Sequence, residues 1–146
     1  MIPRKKVIKI FIVEDDPYYN RLLTKYVETL CNEKVYPQCK FEIHSFLTAH
    51  ECIEQLDDDI SIMLLDYFLF NDEEEDILTG EDVLSEVLKY SPDCKVIMIS
   101  ELKSAQTVIQ LMHQGIYEYI DKNVSSRDRV GAVLQKAVTE QMQTHA

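Results

Sequence analysis

The chain has 146 residues, 46% apolar and 28% charged, which is the balance of a globular protein with a single core. Its formal net charge of −11 argues against nucleic-acid binding, which needs clustered Lys and Arg on phosphates, and favours a divalent cation or a basic partner surface. No apolar run approaches the ~18 residues of a membrane span, and the start MIPRKKVIKIFIV lacks a small-residue cleavage site and runs straight into Glu14-Asp15-Asp16, so no signal peptide is expected.

Lys6 to Val13 (KVIKIFIV) is dense in β-branched and aromatic residues and predicts a first strand. Asp16 is a plausible N-cap and Pro17 a plausible first residue of the next helix. Leu22, Leu23, Tyr26, Val27 and Leu30 form one apolar stripe on that helix. Phe41 to Phe46 alternates only in part, which suits a short strand near the sheet edge. Thr48 to Glu51 has the form of a capping box before a short helix to about Leu56. Ile60 to Phe70 (ISIMLLDYFLF) then carries an unbroken apolar run, Ile62 to Leu65, that stops at Asp66. So short and apolar a run reads as a strand buried on both faces.

Tyr67 to Leu78 contains the acidic run Asp72 to Asp76, whose like charges repel and suit a solvated loop or a partner- or cation-attracting element. Thr79 can cap a helix carrying Val83, Leu84, Val87 and Leu88, which Ser91-Pro92-Asp93 breaks. Cys94 to Ile99 is a fourth strand, ending in Ser100. A helix from about Ser104 to His113 stops at Gly115. Tyr117 to Asp121 is a fifth strand, ending in Lys122, and Ser125 to Asp128 again resembles a capping box before a last helix with Val130, Val133, Leu134, Ala137 and Val138. Strand and helix alternate five times, which implies one α/β domain over 1–146, core about 6–141, with a parallel sheet between helix layers. The four cysteines show no CxxC spacing, so free thiols in a reducing compartment are expected and zinc is not.

In such a sheet, ligands bind outside the carboxyl ends of the strands. Glu14, Asp15, Asp66, Ser100 and Lys122 all lie at those ends. Three clustered carboxylates raise each other's pKa unless a cation sits among them, and a hard divalent ion with oxygen ligands, most naturally Mg²⁺, meets that need. Cation, ammonium and hydroxyl together suit a phosphoryl group in transfer, and a carboxylate nucleophile would become an acyl phosphate.

The order of elements, with VEDDP, the LLD strand, VIMIS and GIYEYIDK on the strand ends, resembles the receiver domain of two-component response regulators over about Lys6 to Gln141. The resemblance implies a flavodoxin-like fold, a doubly wound five-stranded parallel sheet of order 2-1-3-4-5. It implies that Asp66 is phosphorylated by a histidine kinase or phosphotransfer protein and that Asp15, Glu14, Asp66 and the backbone carbonyl of Phe68 hold Mg²⁺. Lys122 would pair with the phosphoryl group and Ser100 would bond to it. Tyr119 would be the aromatic switch, turning inward as Ser100 moves. The fourth helix, fifth strand and fifth helix would then meet a downstream protein or a second copy. A cytoplasmic, stand-alone receiver is the expectation, with no catalysis beyond its own phosphorylation and dephosphorylation.

Four departures bear on that expectation. Phe70 replaces the usual proline, and Gly80 follows the acceptor by fourteen residues where eight is usual. Glu101 replaces a small residue after Ser100, and Asn123 replaces the proline after Lys122, where a trans peptide is expected because cis costs about 2.5–4 kcal/mol without proline. They motivate a second reading, a receiver-like interaction module that no longer cycles phosphate. A phosphohydrolase is disfavoured, because one candidate nucleophile stands without a second general acid. The apolar Phe68 and Leu102 near the phosphoryl position predict a slow-decaying phosphoform.

Overall fold

A computed structural model describes residues 4–69, 78–101, 104–123 and 125–143. Among them strand and helix alternate as β1 (Lys6–Val13), α1 (Pro17–Leu30), β2 (Cys39–Phe46), α2 (Ala49–Glu54), β3 (Ile62–Leu65), α3 (Gly80–Tyr90), β4 (Lys95–Ser100), α4 (Ala105–His113), β5 (Glu118–Asp121) and α5 (Ser126–Gln143). The strands pair in parallel in the order β2-β1-β3-β4-β5. The flavodoxin-like order implied by the sequence is the one observed.

Side chains alternate across a strand, and here the alternation divides the core in two. Ile8, Ile10 and Ile12 of β1, Ile62 and Leu64 of β3, Ile97 and Ile99 of β4 and Ile120 of β5 pack with Leu23 and Val27 of α1 and Val130, Val133, Leu134, Ala137 and Val138 of α5. Phe11, Val13, Met63, Leu65, Val96 and Met98 face the other way, against Cys52 of α2, Val83, Leu84 and Val87 of α3 and Leu111 of α4. Each such Ile or Leu, taken from water, contributes about 1.5–3 kcal/mol. β3 is short and fully buried because both of its faces are covered.

The helices start where the sequence places their caps. Asp16 accepts from the amides of Tyr18 and Tyr19, with Pro17 at the first helical position. Thr48 accepts from Glu51 N–H at 3.1 Å. Thr79 and Asp82 form a reciprocal capping box. The start of α5 is built by a residue outside its expected box: the Asn123 side-chain oxygen accepts from Ser125 N–H at 2.9 Å, and its carbonyl accepts from Ser126 N–H at 3.1 Å.

β2 is longer than its pattern suggests. It pairs residue for residue with β1 from Lys6↔Cys39 to Val13↔Phe46, while Lys40, Glu42, His44 and Ser45 stay exposed on the sheet edge. Backbone pairing to a full-length neighbour extends the strand beyond its apolar residues. The four cysteines are free and buried, and burial pushes the Cys31 and Cys52 thiols up to about 12.

Candidate functional site

The sheet register assembles the strand-end residues. Val13 stands opposite Leu65, and Leu65 opposite Met98. The ladder continues one step past the strands: Glu14 N–H donates to Phe46 O (3.1 Å), Asp66 N–H to Val13 O (3.1 Å) and Lys122 N–H to Ser100 O (3.0 Å). Glu14, Asp66 and Lys122 each follow by two the residues Ile12, Leu64 and Ile120, which all face α1 and α5. The strand period therefore sends these three side chains toward one face.

There they meet. Carboxylate oxygens of Glu14, Asp15 and Asp66 lie within 4.8 Å of one another, a spacing that one metal ion can bridge. The Lys122 ammonium bonds to the Glu14 carboxylate and reaches Asp66 Oδ2 at 3.3 Å. Glu14 is only 2% exposed, and burial, then the adjacent Asp66 carboxylate, push its carboxyl up to about 8 although Lys122 pulls the other way. Burial alone would lower the pKa of Lys122, but its bonds to Glu14 and Asp66 and their charges outweigh that and raise it. Among the described residues the cluster is short of positive charge, with one ammonium bonded to two of its three carboxylates.

Backbone anchors hold this group rigidly. Phe68 N–H donates to Asp66 Oδ1 at 3.1 Å, while the Phe68 side chain is exposed. The buried Asn20 amide donates to the carbonyls of Glu14 and Phe46, both at 3.0 Å, and so ties the acidic turn to β2. A methyl on Gly80 would stand 2.5 Å from the Asp66 carbonyl oxygen and 2.7 Å from Tyr67 Cα, and Gly80 N–H bonds to Tyr67 O at 2.7 Å. α3 thus begins against the backbone of Asp66, where only a residue without Cβ fits. These two roles are absent from the sequence reading. The available signals were an Asn in register with Leu23 and Val27 on the buried stripe of α1, where a polar side chain needs a partner, and a glycine directly after a helix cap.

Ser100 and Tyr119 belong to the other face. Ser100 follows Met98 by two and is fully buried, and its hydroxyl makes no hydrogen bond among the described residues. Its carbonyl joins it to the site, accepting from Lys122 N–H and from the Tyr119 hydroxyl at 2.9 Å. Tyr119 packs against the α2–α4 side of the core and also donates toward Asp121 Oδ1 at 2.9 Å. The register thus brings Glu14, Asp15, Asp66 and Lys122 together and leaves the Ser100 and Tyr119 side chains on the opposite side of the sheet ends.

A family model of the response regulator receiver domain matches residues 10–134. The chain belongs to that family. This receiver superposes on a CheY-like receiver domain protein from Methanospirillum hungatei JF-1 with a TM-score of 0.69, at 23% identity over 94% of this chain and 98% of that one. A receiver domain protein from Clostridium thermocellum gives a TM-score of 0.70 at 18% identity, covering 92% and 97% of the two chains. The response regulator domain of Thermotoga maritima CheB gives 0.68 at 19% identity, covering 93% and 97%. None of the curated proteins matches the chain in sequence.

Two of the receiver's departures have a structural outcome. Glu101 is exposed, and no peptide bond among the described residues is cis, Lys122–Asn123 included. Phe70, Leu102 and most of the acidic segment, residues 71–77, lie outside the described residues.

Proposed function

We propose that this receiver takes a phosphoryl group onto Asp66 from a histidine kinase or phosphotransfer protein and passes the change to a protein partner. The observation that carries this reading is the convergence of Glu14, Asp15 and Asp66 within 4.8 Å beside the Lys122 ammonium. The donor set suits a divalent cation: all are hard oxygen ligands, and Glu14, whose carboxyl is raised by burial and then by Asp66, would be held ionised by an added positive charge. Glu14, Asp15, Asp66 and the Phe68 carbonyl would hold Mg²⁺, which when bound supplies charge neutralisation for the transferring group.

The chain's own part is nucleophile, countercharge and relay. A carboxylate oxygen of Asp66 attacks phosphorus, the bond to the donor breaks, and its electron pair leaves on the imidazole nitrogen or acetate oxygen. Lys122 exchanges a carboxylate for the phosphoryl oxygens. The Ser100 hydroxyl, buried with no partner among the described residues, has a donor for a phosphoryl oxygen once its side chain turns. That turn would disturb the Ser100 carbonyl that holds the Tyr119 hydroxyl, linking the acceptor to the face of α4, β5 and α5. Output to a downstream partner or a second copy through that face, a cytoplasmic location and the absence of other catalysis complete the proposal. No helix among the described residues is long and apolar enough to cross a membrane.

Intact-mass measurement with Mg²⁺ and acetyl phosphate tests the reading. One phosphoryl group is expected on the wild type and none on Asp66→Asn. No gain on the wild type, together with partner binding unchanged by Asp66→Asn, would replace it with a phosphorylation-independent interaction module.

A further inference from the structure

Lys122 has a third neighbour besides its two carboxylates. Its Nζ lies 4.2 Å from the centroid of the Tyr19 ring. Tyr19 sits in the first turn of α1, is half-buried, and packs against the core layer beneath α1 and α5. That turn is pinned from both sides. Asp16 caps the amides of Tyr18 and Tyr19, and Asn20 ties the next residue to Glu14 and Phe46. The ring is therefore held by a turn fastened directly to the acidic pair that precedes it.

The two kinds of partner differ once the site is in use. Glu14 and Asp66 are needed elsewhere, as cation ligands and as the nucleophile, so the ammonium must change its anionic contacts during transfer. A lysine ammonium rides on a long flexible stem, and releasing its carboxylates frees it to swing into water. The face of an aromatic ring attracts a cation whichever anions are nearby. We infer that Tyr19 is a positioning residue, holding the Lys122 ammonium over the acceptor while its carboxylate contacts are exchanged for phosphoryl oxygens. The inference rests on the receiver reading. In the step it serves, an Asp66 oxygen forms the new bond to phosphorus, the bond from phosphorus to the acetyl oxygen breaks, and acetate leaves with the electron pair. Lys122 meets the phosphoryl oxygens without giving up a proton.

The test compares wild type, Tyr19→Phe, Tyr19→Leu and the same Leu change on a Lys122→Ala background. Rates of mass gain are measured with acetyl phosphate at saturating Mg²⁺, and Mg²⁺ affinity and melting temperature are measured separately. Tyr19→Leu is expected to slow phosphorylation about three- to tenfold, the size of a partly desolvated cation–π contact, with Mg²⁺ affinity within about twofold. Tyr19→Phe keeps the ring and is expected to return the rate to within about twofold of wild type. On Lys122→Ala, the Leu change should cost nothing further, because the ring acts through the ammonium. A Leu variant as fast as wild type, a Phe variant as slow as the Leu variant, or an undiminished Leu effect without Lys122 each overturns the inference alone. If wild type gains no mass, the receiver reading and the transfer role fall together. NMR separates the contact from that outcome: the Lys122 ε-methylene protons should show an upfield ring-current shift in wild type and Tyr19→Phe that is lost in Tyr19→Leu. Equal shifts in all three would overturn the contact itself.

Discussion

The two faces of the sheet finish differently at the carboxyl edge. Toward α1 and α5 the strands end in a closed group: Lys122 bonds to both Glu14 and Asp66, Tyr19 covers the ammonium, and Asn20 fastens the backbone. Toward α2, α3 and α4 they end in an open pair, with the Ser100 hydroxyl unpartnered among the described residues and Tyr119 tied to the Ser100 carbonyl. One face is arranged to hold charge in place. The other keeps a buried donor unsatisfied, at a cost of about 1–3 kcal/mol, which a phosphoryl oxygen could repay. The difference follows from a period of two: residues on adjacent strands that share parity share a face.

The largest test of the contrast is at the acceptor. Asp66→Asn is expected to abolish phosphoryl gain while leaving the fold intact, as read by intact mass and circular dichroism. Residual mass at a carboxylate other than Glu14, Asp15 or Asp66 would show that the closed group is not where transfer occurs. Gly80→Ala probes the packing beneath it. The added methyl meets two backbone atoms rather than a movable side chain, so a loss of about 1–3 kcal/mol in urea unfolding is expected, against little change at an open helix position.

The burial of Glu14 beside Asp66 on the closed face makes a pH prediction. The Glu14 carboxyl stands at about 8 in the fold against 4.5 as a free side chain. An acid raised by folding contributes stability below its free value and loses that contribution as pH climbs through the folded one. Without divalent cation, the melting temperature should fall between pH 4.5 and about 8. Glu14→Gln should flatten that fall, and identical profiles for both proteins would refute the assignment.

The open face predicts the smallest effect on stability and a clear one on rate. Ser100→Ala removes a buried hydroxyl that bonds to nothing among the described residues, so stability should stay unchanged or rise by up to ~1 kcal/mol while phosphorylation slows. A destabilised Ser100→Ala would mean that the hydroxyl is already engaged and the two faces are less different than they look.

Much of the site is legible in the sequence. Apolar runs ending in Glu14, Asp66, Ser100 and Lys122 marked the strand ends, and parallel topology alone put them on one edge. What the runs do not encode is relative parity. Whether Ser100 shares a face with Asp66 depends on the register between β3 and β4, which backbone pairing sets and single-strand patterns do not express. Asn20, Tyr19 and Gly80 were hidden for a related reason. Each acts on a residue of another segment, and a helix stripe reads the same whether its members pack, clamp a carbonyl or stack on an ammonium. The start of α5 at Ser126, directly after Ser125, is where the polar run Ser125 to Asp128 puts it, and only the support of Ser125 N–H by the Asn123 side-chain oxygen is not expressed in that run.

The contact between Gly80 and the Asp66 backbone has a consequence for the chain between them. The amide of Gly80 returns to the carbonyl of Tyr67 at 2.7 Å, so the excursion leaves and rejoins the domain at nearly one point. A loop closed at its base is tolerant of length, since doubling it costs only about 0.6 kcal/mol in closure entropy. The six extra residues between acceptor and glycine can therefore be added or removed without displacing Asp66. The fixed base, Tyr67 against Gly80, makes this the natural insertion port of the molecule.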